Sequence, residues 1–263
     1  MRRFGVLAIS HGSRDAKWTQ LVREACAAAV LPVTASREPI PLECAFLELV
    51  EGALIQDGID RLEEQQVTDI LVVPLFISSG STHMDEIAWA LGVKSEPQLP
   101  TDLARYRTRA QIHLCDPIDD DPEIAQLLAD KLKPITMNPA QEVVLLIGHG
   151  SKEQGFHERW RHGLESLAQQ VKAIGGYAEA DTVMLLPDEV PEKLSWWSQN
   201  RQDLAILIAP LFLSQGYFTN QVIPKRLDGY TYRYTGATLL PSPHITAWIE
   251  RRVHQECEKN IEE

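Results

Sequence analysis

The chain repeats itself. FGVLAISHGS at 4–13 recurs as VVLLIGHGS at 143–151, and TDILVVPLFISSG at 68–80 recurs as DLAILIAPLFLSQG at 203–216. His149 follows His11 by 138 residues, and Pro210 follows Pro74 by 136. Two separate motif pairs at nearly one offset mark a duplication, so the chain must adopt a fold that can be made twice. The boundary falls in the Lys133–Pro139 stretch, giving an N-terminal lobe at 1–135 and a C-terminal lobe at 140–263. A length of 263 residues agrees, because single cores stop growing at around 250 residues.

Within each lobe the apolar runs are continuous and rich in Val, Ile and Leu, the pattern of parallel strands covered on both faces. Segments of helical periodicity lie between them, such as Trp18, Leu21, Val22 and Ala25. The reading predicts strands at 4–10, 42–47, 69–76 and 111–115, with helices at 15–30, 51–65, 85–92 and 122–132. The second lobe follows suit, with a strand near 238–240 and a last helix at about 244–257. Such alternation predicts an α/β fold of right-handed βαβ units, a mainly parallel sheet flanked by helices in each lobe. Ligands of open α/β sheets bind outside the carboxyl ends of the strands, where both HGS motifs and the segments after both PLF motifs fall.

Composition excludes several classes. With 25 Lys and Arg against 37 Asp and Glu, the net charge is −12, which argues against a nucleic-acid partner met through a basic surface. No stretch reaches the roughly 20 apolar residues of a membrane span, and the opening MRRFGVLAISHGS has too short an apolar run for a signal peptide. Cys26, Cys44, Cys115 and Cys257 show no CxxC spacing, as expected of reduced thiols in the cytoplasm.

Three residues stand where chemistry is expected. His11 ends the first strand, where an imidazole is either a metal ligand or general base, or a turn residue bonded to nearby backbone. His83 follows the third strand, which neighbours the first in a 2-1-3 order. Glu48 ends the second strand in CAFLE, as a ligand or as a solvated helix cap. Two imidazoles and a carboxylate suit Fe, Co, Ni or Zn. A histidine phosphatase would need Arg before His11, where Ser10 stands, and a serine hydrolase would need GxSxG, which is missing.

ISHGSRD, CAFLE and VVPLFISSGSTH, in this order and spacing, resemble the sirohydrochlorin chelatases of the CbiX and SirB group, the class II tetrapyrrole chelatases. The resemblance covers essentially the whole chain. It implies two tandem flavodoxin-like lobes facing each other across a central cleft, in which a divalent metal enters a tetrapyrrole without ATP or an organic cofactor. His11 and His83 would then be catalytic, and with Glu48 would hold the metal, which is itself a substrate: Fe2+, Co2+ or Ni2+. Ser13 and Arg14 after the first HGS, and the loop Ser79, Gly80, Ser81 and Thr82, become candidate substrate-binding residues. Arg14, Lys17 and Lys152 either meet substrate carboxylates or line a solvated helix face. Tyr217 and Phe218 either stack on the macrocycle or pack between lobes.

His83 comes one residue later after the PLF proline than is usual in the family. The chain also lacks a His-rich stretch and a terminal iron–sulfur cysteine motif, which favours iron and siroheme synthesis over cobalt and cobalamin. In the second lobe His149 matches His11, while the positions of Glu48 and His83 fall near Leu186 and Thr219, so the chemistry is expected in the first lobe. The expected partners are a small tetrapyrrole and a metal ion, with neither nucleic acid nor membrane. One chain supplying both walls suffices as a monomer, and a dimer is compatible with this. The alternative is a non-catalytic metal or tetrapyrrole carrier of the same fold.

Overall fold

The computed structural model describes residues 2–32 and 39–261. Its first parallel sheet is built from β1 (Phe4–Ser10), β2 (Leu42–Phe46), β3 (Asp69–Pro74) and β4 (Gln111–Leu114), in the order β2-β1-β3-β4. The helices are α1 (Ala16–Ala27), α2 (Ile55–Glu64), α3 (Thr82–Ala90) and α4 (Pro122–Leu132). The second sheet repeats this with β5 (Glu142–Gly150), β6 (Glu179–Leu186), β7 (Ala205–Pro210) and β8 (Arg233–Tyr234), parallel and ordered β6-β5-β7-β8. Its helices are α5 (Phe156–Gly175), α6 (Val190–Asn200), α7 (Ile223–Arg226) and α8 (Pro243–Ile261). Even the register repeats: Ile9 pairs with Pro74, and Ile147 with Pro210.

The central strands of the first sheet are buried along their whole length, as their unbroken apolar runs require. Every residue of β1 and β3 is buried, and Leu7, Ile9, Ile70 and Val72 form a core with Ile59, Leu62 and Ile87 from the helices. The second core joins Leu145, Ile147, Val183 and Ile208 to Leu194, Ile223 and Leu227. Helix starts carry their own stop signals for unpaired amides. Asp15 accepts from the Lys17 amide at 2.9 Å at the head of α1, and Asp121 accepts from the Glu123 amide at 2.9 Å at the head of α4. Among the described residues no helix is long and apolar enough to cross a membrane.

Several element bounds differ from the sequence reading. Helix α3 starts at Thr82 rather than 85, so Thr82 and His83 lie in its first turn. Helix α2 starts at Ile55 rather than 51, after a loop in which Leu49 and Gly52 adopt positive φ. The last strand is Arg233–Tyr234, not 238–240. These two residues pair with Leu207 and Ile208, Gly236 at φ +68° ends the run, and Leu239 and Leu240 lie beyond β7, bonded to the carbonyls of Phe212 and Leu213 at 3.0 and 2.8 Å.

The compact units do not follow a cut at 135–140. One unit comprises the chain up to Phe76, Thr82–Ile118 and everything from Pro243; the other comprises Ile77–Ser81 and Asp119–Ser242. The last helix of each sequence repeat is therefore counted with the other repeat's sheet. Helix α4 packs on α5, and α8 packs on α1 and β3. The cause is side-chain burial. Ile245, Trp248, Ile249 and Val253 of α8 are fully buried, so the first core is incomplete without a helix about 130 residues away in sequence from β4.

Trp248→Ala should therefore destabilise the first unit by about 3–5 kcal/mol, the usual cost of emptying a buried Trp site. Urea unfolding followed by far-ultraviolet circular dichroism measures it. A loss under about 1 kcal/mol, the scale of an exposed site, would show that α8 is peripheral to that core.

Candidate active site

Past Ser10 the chain continues beside β2. Leu47 donates its amide to the Ser10 carbonyl at 2.8 Å, and Glu48 to that of His11 at 3.1 Å. Gly12 turns the chain away at φ +101°, and a Cβ on it would lie 2.1 Å from the Glu48 carbonyl oxygen. Only glycine tolerates both the backbone angle and the contact. The result sets two side chains together: His11 Nε2 lies 3.7 Å from Glu48 Oε1, both half-exposed.

The hydrogen bonds of the rings decide which nitrogen is available. His11 Nδ1 lies 3.2 Å from the Gly12 carbonyl. A carbonyl only accepts, so Nδ1 carries the proton, and in the neutral imidazole Nε2 keeps its lone pair. His83 Nδ1 lies 2.6 Å from Glu86 Oε1, which likewise only accepts as a carboxylate. Both imidazoles thus present a bare Nε2. Their centroids are 4.8 Å apart at an interplanar angle of 75°, and the Phe76 ring lies 6.3 Å from His83. The late position of His83 is absorbed by the loop before α3, and its ring still reaches that of His11. The two readings of His11, turn residue and ligand, are compatible because each uses a different nitrogen.

Among the described residues, no group of three or more His, Cys, Asp or Glu side chains is arranged to hold a metal ion as it stands. The remaining movement is small for His11 and Glu48. Two ligands of one tetrahedral ion with bonds of about 2.1 Å are roughly 3.4 Å apart, against the 3.7 Å between these two atoms.

The other candidates fall into different places. Ser13 Oγ accepts from the Asp15 amide at 3.0 Å, and Arg14 is exposed. Ser79 gives both its amide and its hydroxyl to Asp119 Oδ1, at 2.8 and 3.1 Å, and its carbonyl accepts from Arg159 Nε at 3.0 Å. Gly80 is packed so closely on α5 that a Cβ would lie 2.5 Å from the Phe156 carbonyl. Ser81 bonds to the Ser78 carbonyl at 2.9 Å, and Thr82 opens α3. Burial raises the Asp119 carboxyl above its ordinary pKa even though the Ser79 amide and hydroxyl oppose the shift.

The second unit preserves the turn but has neither the carboxylate nor the second imidazole beside it. Gly150 has φ +78°, and its Cβ would lie 2.3 Å from the Leu186 carbonyl, as Gly12 does to Glu48. His149 Nδ1 again donates to the next carbonyl, at 3.0 Å. Its neighbour is Phe218, with ring centroids 4.8 Å apart at 86°, and Phe218 also stacks on Phe212 at 5.8 Å. The counterpart of His83 is therefore Phe218 and not Thr219. Phe218 stands eight residues after Pro210 where His83 stands nine after Pro74, and Thr219, within the π-helical turn Phe218–Val222, is buried with its hydroxyl bonded to the Gly216 carbonyl at 3.2 Å. Tyr217 beside it is 65% exposed.

Glu86 was not among the sequence candidates. The signal was present, since it stands three residues after His83 on one helix and so on the same face. A helix read from 85 leaves His83 outside it and so hides the pairing.

Comparison with known proteins came to the same region of sequence space. The CbiX family model matches residues 5–135 and 143–256. The sirohydrochlorin ferrochelatase of Bacillus subtilis (strain 168) is 28% identical over 173 residues, 64% of this chain but only 59% of the relative's length. The sirohydrochlorin cobaltochelatase of Methanopyrus kandleri is 27% identical over 139 residues, 49% of this chain and 94% of the relative. Two solved structures share the fold: SirB from Bacillus subtilis with Fe3+ (TM-score 0.71, 22% identity, 97% of this chain and 95% of that one) and CbiX, the terminal enzyme for siroheme biosynthesis in denitrifying bacteria (TM-score 0.64, 18% identity, 95% and 98%).

The turn geometry predicts unequal costs for two glycines. Gly52 has φ +74° with nothing within 4 Å of a Cβ, whereas Gly12 adds a backbone collision. Gly52→Ala should cost about 1 kcal/mol, and Gly12→Ala about 3 kcal/mol or more, because strain and displacement of the Glu48 backbone add. Equal midpoints in denaturant melts would refute the close approach at Gly12.

Proposed function

The chain belongs to the CbiX family, and on that premise we propose that it is a sirohydrochlorin chelatase, inserting Fe2+, or secondarily Co2+, into the macrocycle for siroheme or cobalamin synthesis. The observation that carries this reading is the pair of imidazoles 4.8 Å apart, each with Nδ1 engaged and Nε2 bare. Two such nitrogens do both halves of metal insertion. They bind the divalent ion first. As the ion passes to the tetrapyrrole, two pyrrole N–H protons are released, and each vacated Nε2 takes one. Two positive charges leave with the metal and two appear on the imidazoles, so no other acid or base is needed.

The carboxylates beside the rings suit this exchange. Glu48, at 3.7 Å from His11 Nε2, completes the ligand set and then faces a cationic ring, as Glu86 does at 2.6 Å from His83 Nδ1. The metal enters as a substrate, and no organic cofactor is required for the proton count. The four cysteines are free thiols, in keeping with a reducing cytoplasm. In the second unit, Leu186 and Phe218 stand where Glu48 and His83 stand in the first.

His11→Ala should lower metal insertion by at least about 100-fold, the lower end of what a positioned proton acceptor contributes. His149→Ala should stay within a few-fold of wild type. The measurement is the absorbance change of sirohydrochlorin on adding ferrous or cobalt ion anaerobically, above the spontaneous rate. Equal loss in both variants would place the second HGS in the chemistry. Stoichiometric binding without turnover in the wild type would replace the enzyme by the carrier.

A further inference from the structure

We propose that Glu86 is the positioning residue for His83, fixing the imidazole so that Nε2 faces the metal ion; this rests on the reading of His83 as a metal ligand. The contact is short, 2.6 Å from Nδ1 to Oε1. The second carboxylate oxygen is also held, accepting from Thr101 Oγ1 at 2.6 Å, and that hydroxyl in turn accepts from the Leu103 amide at 3.1 Å. A backbone amide, a hydroxyl, a carboxylate and an imidazole therefore form one connected chain, in which the hydroxyl and the imidazole both donate to the carboxylate. Each donor in it has one acceptor, which leaves the His83 ring no reason to flip.

The helix beneath is secured separately. Asp85, buried on the adjoining face of α3, accepts from the Gln98 amide at 2.6 Å and pairs with Lys94. An isolated i,i+3 pair on a helix surface would need neither the Thr101 contact nor this second anchor. His11 obtains the same Nδ1–H tautomer from a backbone carbonyl, so the two rings are oriented by different means. The second unit supplies an internal control. His149 keeps the backbone carbonyl, but where Phe218 stands in place of an imidazole, the residue three positions on is Gln221 and carries no charge. The carboxylate accompanies the imidazole that needs it. Carboxylates bonded to a ligating His fix its tautomer and raise its basicity, and removing them usually costs 10–100-fold in metal affinity.

The test uses the full chain and Co2+ alone, titrated calorimetrically, with histidine tautomers read from 15N–1H correlation spectra of the metal-free protein. His83 should be the Nδ1–H tautomer in wild type and in Glu86→Gln, whose amide oxygen still accepts. It should become a mixture in Glu86→Ala. Co2+ affinity should fall about 10–100-fold in Glu86→Ala, recover most of the way in Glu86→Gln, and not change further when Glu86→Ala is added to His83→Ala. An Nε2–H tautomer at His83 in the wild type would overturn the proposal without any variant needing to fold. So would an equal loss of affinity from Glu86→Ala with and without His83, no loss at all, or a wild type that does not bind Co2+. Intact coupling between residues 83 and 86 without sirohydrochlorin turnover would remove the chelatase reading and leave the positioning role. Turnover without that coupling would do the reverse.

Discussion

The geometry of the site depends on a contact between two backbones. Beyond the last paired residues of β1 and β2, the amides of Leu47 and Glu48 reach the carbonyls of Ser10 and His11, and Gly12 passes under the Glu48 carbonyl with no room for a Cβ. That approach makes the ends of two adjacent parallel strands carry a histidine and a carboxylate 3.7 Å apart. A second imidazole comes from β3's side, where the turn into α3 brings His83 across to the His11 ring. An open parallel sheet thus sets Glu48 and His83 on either side of His11 because three neighbouring strands end on the same edge.

Duplication shows which parts of this design belong to the fold and which to the chemistry. Gly150 under the Leu186 carbonyl, and His149 bonded to the Gly150 carbonyl, reproduce the turn in full. A histidine at this position therefore has a structural use of its own, independent of any metal. Replacing the second imidazole by Phe218 keeps the edge-to-face contact at 4.8 Å and loses the nitrogen. Aromatic packing of this kind is worth a fraction of a kcal/mol to about 1.5 kcal/mol beyond burial, enough to retain a ring after the donor atom has gone.

The exchanged helices add a constraint on folding. Helix α8, last in the chain, covers the first core through Ile245, Trp248, Ile249 and Val253, and α4 packs on α5. The first unit cannot complete its core until the end of the chain is available. Contacts of such high sequence separation carry a loop-closure cost before they stabilise anything.

The repeat, the βαβ alternation, the strand ends and the three residues His11, Glu48 and His83 were all legible in the sequence, because continuous apolar runs and fixed offsets are properties of the chain itself. What the sequence could not settle was decided by packing. A strand read at 238–240 lies at 233–234, since pairing with β7 and a glycine at positive φ set its limits. The counterpart of His83 is Phe218, which the fold sets edge-to-face against His149 although it follows its PLF proline by one residue fewer. Ser79 and Gly80 are engaged by Asp119, Arg159 and α5, partners 40 to 80 residues distant, which no local pattern encodes. Which imidazole nitrogen is free was likewise a tertiary outcome: the sequence determines that histidines stand at two strand ends, but only the folded chain places a carbonyl against one Nδ1 and Glu86 against the other.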